Sequence, residues 1–270
     1  MATILYFIIW FGLIALTYTL FQPPLFSLAF FAILIGGFVI YFALTLLLFA
    51  LSLEVYGRLF KGTYPNSMKH HKFIDSYMRL VVRLLRLKLK VTGLEHVPNE
   101  PFILISNHQA NYDTIIHKVL LPSPFVFVAK HKLFKWPFIG GPARALGNIP
   151  MLREHDRSAV EAILKGIQLY KSGVNVGIYP EGTRSHGHVM LPFKAGALKL
   201  AMKPKAPILV AVIDRSYNTW KHWPFVSQKV YCHFFEPLTE KTYGTMNTNE
   251  LSDHIRAMIQ EKLDEYQKLN

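Results

Sequence analysis

A histidine and an aspartate five residues apart are the best candidates in this chain for acid–base chemistry. His108 and Asp113 follow the apolar run of residues 102–105. An imidazole serves as a general base near neutral pH, most effectively when a carboxylate holds its second ring nitrogen. Side chains five residues apart point from different faces of a helix. The pair therefore requires His108 on a loop and Asp113 near the start of the following helix.

The chain shows no nucleophile of its own at a recognisable position. No G-x-S-x-G turn occurs in the sequence. The single cysteine, Cys232, lies within the apolar run of residues 230–235, which favours a core position and excludes an intrachain disulfide. We therefore expect the nucleophile to be a substrate hydroxyl activated by His108.

A metal site is an alternative use of the same residues. His117 stands four residues after Asp113, so both side chains could bind one ion together with His108. The sequence contains no H-E-x-x-H or other metal signature. We therefore expect no metal.

A second polar motif, Tyr-Pro-Glu-Gly-Thr-Arg-Ser at residues 179–185, follows the apolar run of residues 174–178. Gly182 allows a ligand to approach the backbone closely. Arg184 can bind a phosphate with two parallel hydrogen bonds, and Glu181 could anchor Arg184 or hold the loop. Taken alone, the motif is better explained as a tight turn with a surface salt bridge.

Further cations fall next to predicted strands, turns and helices. Lys130 follows the apolar run of residues 125–129, Arg153 follows the turn at residues 147–150, and Lys194 precedes a short run of small residues. Each one alone is expected to be a solvated charge. No Walker A loop and no G-x-G-x-x-G pattern is present.

The elements that must position these residues alternate between strands and helices. Apolar runs predict strands at residues 87–91, 102–106, 125–129, 174–179, 208–213 and 229–235, and helical spacing predicts helices at residues 114–121, 157–171, 195–202 and 250–269. Continuous apolar strands between helices indicate an α/β fold with a mixed, mostly parallel sheet flanked by helices. Ligands of such folds bind beyond the carboxyl ends of the strands, where both polar motifs are expected.

Residues 1–53 predict a hydrophobic helical hairpin that anchors the protein in a membrane. No charged side chain occurs from residue 2 to residue 53, and Gln22-Pro23-Pro24 separates apolar runs of 18 and 29 residues. A membrane-spanning helix needs about 20 apolar residues, and two successive prolines break a helix. The hairpin either spans the bilayer twice or enters one leaflet.

Residues 54–90 predict a basic amphipathic connection to an α/β domain at residues 91–270. The connection has nine basic residues against two acidic ones. Its helical spacing of apolar residues fits both a helix packed on the core and a helix at the lipid headgroups. Positive residues beside a membrane segment favour the cytoplasmic side. We therefore expect a membrane protein whose α/β domain faces the cytoplasm, at the plasma or inner membrane in a bacterium.

The net charge of +13 indicates partners that carry phosphate, whether nucleic acid, an anionic membrane or a small substrate. No recognised nucleic-acid module occurs in the sequence, and the hydrophobic hairpin argues against a free DNA-binding protein. We expect membrane lipids, and no nucleic acid, as partners.

Four motif blocks in order resemble those of the 1-acylglycerol-3-phosphate O-acyltransferases, the lysophosphatidic acid acyltransferase family. Residues 107–113 resemble N-H-x4-D, residues 147–153 resemble G-x-I-F-I-D-R, residues 179–185 resemble F-P-E-G-T-R-S, and residues 191–197 with 206–210 resemble the remaining block. Pro150 and Leu152 replace the aromatic and acidic residues of the second block. These departures affect how Arg153 is held.

The resemblance implies transfer of a fatty acyl group from acyl-CoA or acyl-carrier protein to the sn-2 hydroxyl of lysophosphatidic acid, which gives phosphatidic acid for phospholipid biosynthesis. It implies that His108 is the base and that Asp113 orients it. It also implies substrate-binding roles for Lys130, Arg153, Glu181, Gly182, Thr183, Arg184 and Lys194. Lys130 and Arg184 are the best candidates to hold the phosphate. No cofactor is implied, because the thioester is already activated.

Two alternatives remain open at this point. The first is the same chemistry on another acceptor, such as glycerol 3-phosphate, another lysophospholipid or a lyso-ornithine lipid. The second is a non-catalytic membrane protein that binds anionic lipids through its basic surface. The second alternative predicts that His108→Ala has no effect.

Overall fold

The computed structural model describes residues 2–22, 24–60, 63–152, 156–221, 223 and 225–268. The strands are β1 (Leu87–Thr92), β2 (Ile103–Ser106), β3 (Phe125–Lys130), β4 (Ile149–Met151), β5 (Asn175–Ile178), β6 (Ile208–Asp214) and β7 (Gln228–Phe234). The α-helices are α1 (Ala2–Phe21), α2 (Leu28–Leu59), α3 (Met68–Leu84), α4 (Tyr112–Leu120), α5 (Gly140–Ala145), α6 (Asp156–Lys171), α7 (Lys199–Met202), α8 (Glu240–Tyr243) and α9 (Thr248–Gln267).

All of these strands belong to one sheet, in the order β1-β7-β6-β2-β5-β3-β4. The five strands from β6 to β4 are parallel to one another. β7 runs antiparallel to β6 and parallel to β1. The structure therefore confirms the predicted mixed, mostly parallel sheet.

Both faces of the sheet are covered, as the continuous apolar strands predict. Along β2 and the residue before it, side chains alternate between two different clusters of buried residues. Ile103 and Ile105 pack in one cluster with Ile255 of α9, whereas Phe102 and Leu104 pack with Phe125 on the opposite face. A strand with apolar residues on both faces is stable only between two layers of structure, which the helices supply.

Two elements near the sheet edge are absent from the sequence-based prediction. β4 has three residues with a central Pro150, and it pairs with β3 alone. Proline lacks a backbone donor but is tolerated on an edge strand. α5 crosses α2 so closely that a Cβ on Gly57 would lie 2.5 Å from the Cα of Gly141. That contact depends on glycines in both helices, which a helical pattern of apolar residues does not reveal.

The expected hydrophobic hairpin is present. The Thr17 hydroxyl of α1 lies 2.8 Å from the Tyr41 hydroxyl of α2. Among the described residues, one helix, Leu28–Leu59, is long and apolar enough to cross a membrane. This helix continues past residue 53, where the hairpin was expected to end, and finishes at Leu59.

A buried ion pair joins α3 to α4. The Lys118 ammonium lies 3.2 Å from a carboxylate oxygen of Asp75 and 2.8 Å from His71 Nδ1. His71 Nε2 in turn lies 2.8 Å from the Pro65 carbonyl oxygen. The basic helix that follows the hairpin is therefore fixed to the helix that begins at the first polar motif.

Candidate active site

The two polar motifs lie side by side at one edge of the sheet. The first follows β2 and the second follows β5, and these strands are parallel neighbours. The Ser185 amide donates a hydrogen bond to the His108 carbonyl oxygen at 2.8 Å, which joins the motifs directly. The Asn107 side chain exchanges two hydrogen bonds with the backbone of Ile213, which fixes the first loop against β6.

His108 and Asp113 form a hydrogen-bonded pair in the way their spacing requires. His108 lies on the loop, and Asp113 lies in the first turn of α4. Nδ1 of His108 is 2.8 Å from Oδ2 of Asp113. The Asp113 side chain is fully buried, while 15% of the His108 side chain is exposed. This pairing leaves Nε2 of His108 for a substrate proton.

The Asp113 carboxylate is held by the loop itself. Its Oδ2 also accepts hydrogen bonds from the amides of Gln109 at 2.6 Å and Ala110 at 2.9 Å. Its position in the first turn of α4 places the negative charge at the positive end of the helix dipole. These contacts stabilise an ionised carboxylate that accepts the Nδ1–H of His108 and so fixes one tautomer of the ring.

An aromatic stack supports the other side of the imidazole. The rings of His108 and Tyr179 are stacked, with 4.2 Å between centroids. The Tyr179 hydroxyl lies 3.0 Å from Nδ1 of His117. Burial lowers the pKa of His117 to about 4, so this ring is neutral at physiological pH. The sequence offers His117 as a possible metal ligand together with His108 and Asp113. In the structure its Nδ1 contacts the Tyr179 hydroxyl.

Glu181 holds the second motif against the first. One carboxylate oxygen accepts the His108 amide at 2.6 Å, and the other accepts the Leu191 amide at 2.8 Å. Burial raises the pKa of Glu181, and these two hydrogen bonds act in the opposite direction. Of the two roles that the sequence allows for Glu181, the contacts match that of holding the loop.

Gly182 brings the Lys194 side chain close to the motif. The backbone of Gly182 has a φ of +67°, and a Cβ there would lie 3.4 Å from Cε of Lys194. The Lys194 amide donates to the Pro180 carbonyl oxygen at 2.9 Å. The exposed Lys194 therefore extends over Gly182, next to the exposed Thr183.

Arg184 is half-buried and directly precedes Ser185, whose amide is bound to His108. Within the ranges that the structure describes, no hydrogen bond or ion pair engages the Arg184 guanidinium. The predicted surface salt bridge is therefore not formed there. With no partner among the described residues, the Arg184 guanidinium is available for an anionic group.

Lys130 and Arg153 are the remaining two cations that the sequence assigns to the substrate. Lys130 is the exposed last residue of β3, and β3 neighbours β5. Lys130 also pairs in register with Met151 of β4. Arg153 lies outside the described residues, so its expected role at the substrate stays a prediction.

A further network at this edge was not predicted. Gln109 donates to the Asp214 carboxylate at 3.1 Å, and His188 Nδ1 lies 3.3 Å from the same oxygen. Asp214 directly follows the apolar run of residues 208–213, so it obeys the same rule of polar residues at strand ends. The sequence gives no comparable signal for His188.

The histidine–aspartate pair lies at the carboxyl edge of a mostly parallel sheet, and the loop that contains Arg184 is hydrogen-bonded to its histidine. This arrangement defines a candidate active site for group transfer to a hydroxyl. Comparison with known proteins specifies the class. The family model named Acyltransferase matches residues 88–214. A 1-acyl-sn-glycerol-3-phosphate acyltransferase of Borreliella burgdorferi is 32% identical over 190 residues, which are 69% of this chain and 76% of that protein.

Other relatives of this chain carry the same or a closely related name. The Escherichia coli protein of the same name is 28% identical over 218 residues, which cover 79% of this chain and 88% of that protein. The crystal structure of the 1-acyl-sn-glycerophosphate acyltransferase PlsC from Thermotoga maritima matches with a TM-score of 0.63 and 27% identity, covering 73% of this chain and 79% of that one. This chain belongs to the 1-acyl-sn-glycerol-3-phosphate acyltransferase family, as its four motif blocks predict.

Proposed function

We propose that the protein transfers a fatty acyl group from an acyl thioester to the sn-2 hydroxyl of 1-acyl-sn-glycerol 3-phosphate and so produces phosphatidic acid. The donor is acyl-CoA or acyl-carrier protein. The observation that carries this proposal is the His108–Asp113 pair, 2.8 Å apart, with Arg184 in the loop that is hydrogen-bonded to the His108 backbone. The names of the relatives support the choice of acceptor.

In the proposed reaction Nε2 of His108 takes the proton of the sn-2 hydroxyl. The hydroxyl oxygen then attacks the thioester carbonyl carbon, and a tetrahedral intermediate forms. When the carbon–sulfur bond breaks, the thiolate leaves and receives the proton from His108. The buried carboxylate of Asp113 stabilises the imidazolium between these two steps.

The cations beside the histidine bind the acceptor phosphate in this proposal. Arg184 provides a planar pair of donors, and point charges come from Lys130 at the end of β3 and from Lys194. Arg153 belongs to the same set by family resemblance. Gly182 and Thr183 allow the phosphate to approach the backbone, and Glu181 keeps this loop in place.

The hairpin places the enzyme where its acceptor resides. Lysophosphatidic acid and phosphatidic acid are amphiphiles, so both remain in the bilayer. We propose a division into a hairpin anchor at residues 1–53, a basic connection at residues 54–90 and an acyltransferase domain at residues 91–270. The basic connection favours the cytoplasmic face for that domain.

Thioester cleavage tests the reaction. Purified protein in detergent is incubated with oleoyl-CoA or oleoyl-acyl-carrier protein, with and without 1-acyl-sn-glycerol 3-phosphate. We expect thiol release that depends on the acceptor, with phosphatidic acid as the lipid product. Parallel reactions with glycerol 3-phosphate and lysophosphatidylcholine test the choice of acceptor. Faster transfer to either of these would contradict the proposed acceptor, and no release with any pair would contradict the reaction.

A further inference from the structure

The connection between β6 and β7 exposes a group of large apolar side chains. The residues of this group, called here the aromatic cluster, are Trp220, Trp223, Phe225 and Val226. Phe225 is 87% exposed and Trp220 is 56% exposed. Contiguous apolar surface of this kind marks a contact surface, and tryptophan is enriched where an apolar phase meets water.

The aromatic cluster contacts the end of α3 and the start of α4, the helix that carries Asp113. The indole N–H of Trp223 donates to the Leu84 carbonyl oxygen at 2.9 Å, at the end of α3. The ring of Trp220 lies 5.2 Å from that of Trp223 and 6.0 Å from that of Tyr112, measured between centroids. Tyr112 begins α4 and precedes Asp113. The cluster therefore lies beside the start of the helix that carries the aspartate.

α3 runs antiparallel to the second half of α2. The rings of Tyr56 and Phe73 are 4.7 Å apart, and the hydroxyls of Ser52 and Tyr77 are 2.9 Å apart. Residue numbers thus fall along α2 while they rise along α3. The end of α3 that holds the aromatic cluster points toward the uncharged part of α2, away from Glu54. The cluster is on the side of the molecule from which the hydrophobic hairpin extends.

The exposed face of α3 mixes cations with apolar side chains. Its exposed residues include Lys72, Phe73, Arg79, Leu80, Arg83 and Leu84. Such a face suits the headgroup region of a bilayer, because cations bind lipid phosphates while apolar side chains enter the acyl boundary. A surface with this many cations is poorly suited to an apolar protein partner or to the hydrocarbon core.

We infer that the aromatic cluster is a second membrane-contact element, which enters the headgroup region of an anionic bilayer together with the exposed face of α3. Three observations favour lipid over a protein partner: the positive charge beside the cluster, the tryptophan content, and the direction of α3 along the apolar helix α2. The contact holds the start of α4, which carries Asp113, at the bilayer surface. This membrane contact is independent of which acceptor the protein uses and of which reaction it catalyses.

Quenching of a fluorophore by lipids tests this contact in the full chain. An environment-sensitive fluorophore is attached to the introduced thiol of the Phe225→Cys variant. The labelled protein is then reconstituted in vesicles of equal amounts of phosphatidylcholine and phosphatidylglycerol, whose acyl chains carry bromine as the quencher. Phe225 packs little, so the fold tolerates the change. Native Cys232 is fully buried and burial raises the pKa of its thiol, so only the introduced thiol reacts.

The matched control is the V160C variant, because Val160 is an exposed apolar residue of α6. α6 packs on the face of the sheet opposite to Phe102 and Leu104. We expect strong quenching of the label at position 225 and none of the label at position 160. At position 225, quenching is expected to be greatest when the bromine is on the acyl-chain carbons nearest the headgroup. No quenching at 225 would overturn the inference. Equal quenching at both positions would also overturn the inference. A label at position 225 that is shielded from water but not quenched would indicate a protein contact in place of a lipid contact.

Discussion

The imidazole ring of His108 lies nearly parallel to the ring of Tyr179, with 4.2 Å between the centroids and 14° between the planes. The Asp113 carboxylate holds Nδ1 of the same imidazole at 2.8 Å. The stack restricts the plane of the ring, and the carboxylate fixes its rotation within that plane. Nε2 therefore has one defined direction, as a general base needs before a substrate arrives.

The stack predicts different effects for two substitutions of Tyr179. Tyr179→Phe keeps the stacked ring and removes the hydrogen bond to His117, so we expect kcat to be retained and stability to fall by about 0.5–1.5 kcal/mol. Tyr179→Ala removes the ring, so we expect a stability loss of about 3–5 kcal/mol and a large loss of kcat. Denaturant unfolding and steady-state kinetics measure both effects. Equal kcat values for the two variants would show that the stack does not position His108.

Asp113→Asn tests the carboxylate. The variant keeps the size of the side chain but lacks the charge that stabilises the imidazolium and fixes the tautomer. We expect kcat to fall by about 10²–10⁴-fold with the fold retained, measured by acyl transfer and circular dichroism. Asp253→Asn, an exposed change on α9, is the control. A kcat for Asp113→Asn within a few-fold of the parent would remove Asp113 from the proposed mechanism.

Arg184→Ala tests the phosphate contact. A hydrogen bond to a charged group contributes about 1.5–3 kcal/mol, so we expect KM for the acceptor to rise by about 10- to 100-fold. KM for the acyl donor is expected to change little. Arg256→Ala, which removes an exposed arginine of α9, controls for net charge. If both variants raise the acceptor KM equally, Arg184 has no specific role in acceptor binding.

The strands and the hydrogen-bonded pair of His108 and Asp113 were predictable because their signals are local. Each of β2, β5 and β6 is one apolar run, and the spacing of His108 and Asp113 already implies a loop followed by a helix start. The three residues of β4 give no such signal. They become a strand only because β3 offers an edge for pairing, which local sequence does not encode.

Contacts between distant elements were not predictable from the sequence. Gln109 and Asp214 are 105 residues apart along the chain, and Tyr179 and His117 are 62 apart. No spacing rule relates such residues. They meet because the order of strands in the sheet brings β2, β5 and β6 together at one edge.

His71 predicts a loss of stability in acid. Burial, and next the charge of Lys118, lower the pKa of His71 from its ordinary value of 6.5 to about 4. Between these values the unfolded chain binds a proton that the folded chain does not, so stability decreases as the pH falls from about 6.5 toward 4. Replacing His71 with glutamine removes this titration, so we expect a smaller decrease in Tm across that range.

The exposed His254 provides the control for this measurement. His254→Gln is expected to leave the dependence of Tm on pH unchanged, because it changes an exposed side chain of α9 and keeps the buried contacts of His71 in place. Burial lowers the pKa of His117 over the same range, so part of the decrease remains in His71→Gln. If His71→Gln retains the full acid-induced decrease of the parent, then His71 does not contribute to it.

In the proposed mechanism, His108 is the base that activates the acceptor hydroxyl. The most direct measurement is kcat for acceptor-dependent release of CoA from oleoyl-CoA by the parent protein, His108→Ala and the control His254→Ala. We predict that His108→Ala loses at least about 10²–10⁴-fold in kcat while it still binds lipid vesicles, and that His254→Ala matches the parent. Activity of His108→Ala near that of the parent would show that His108 is not the base.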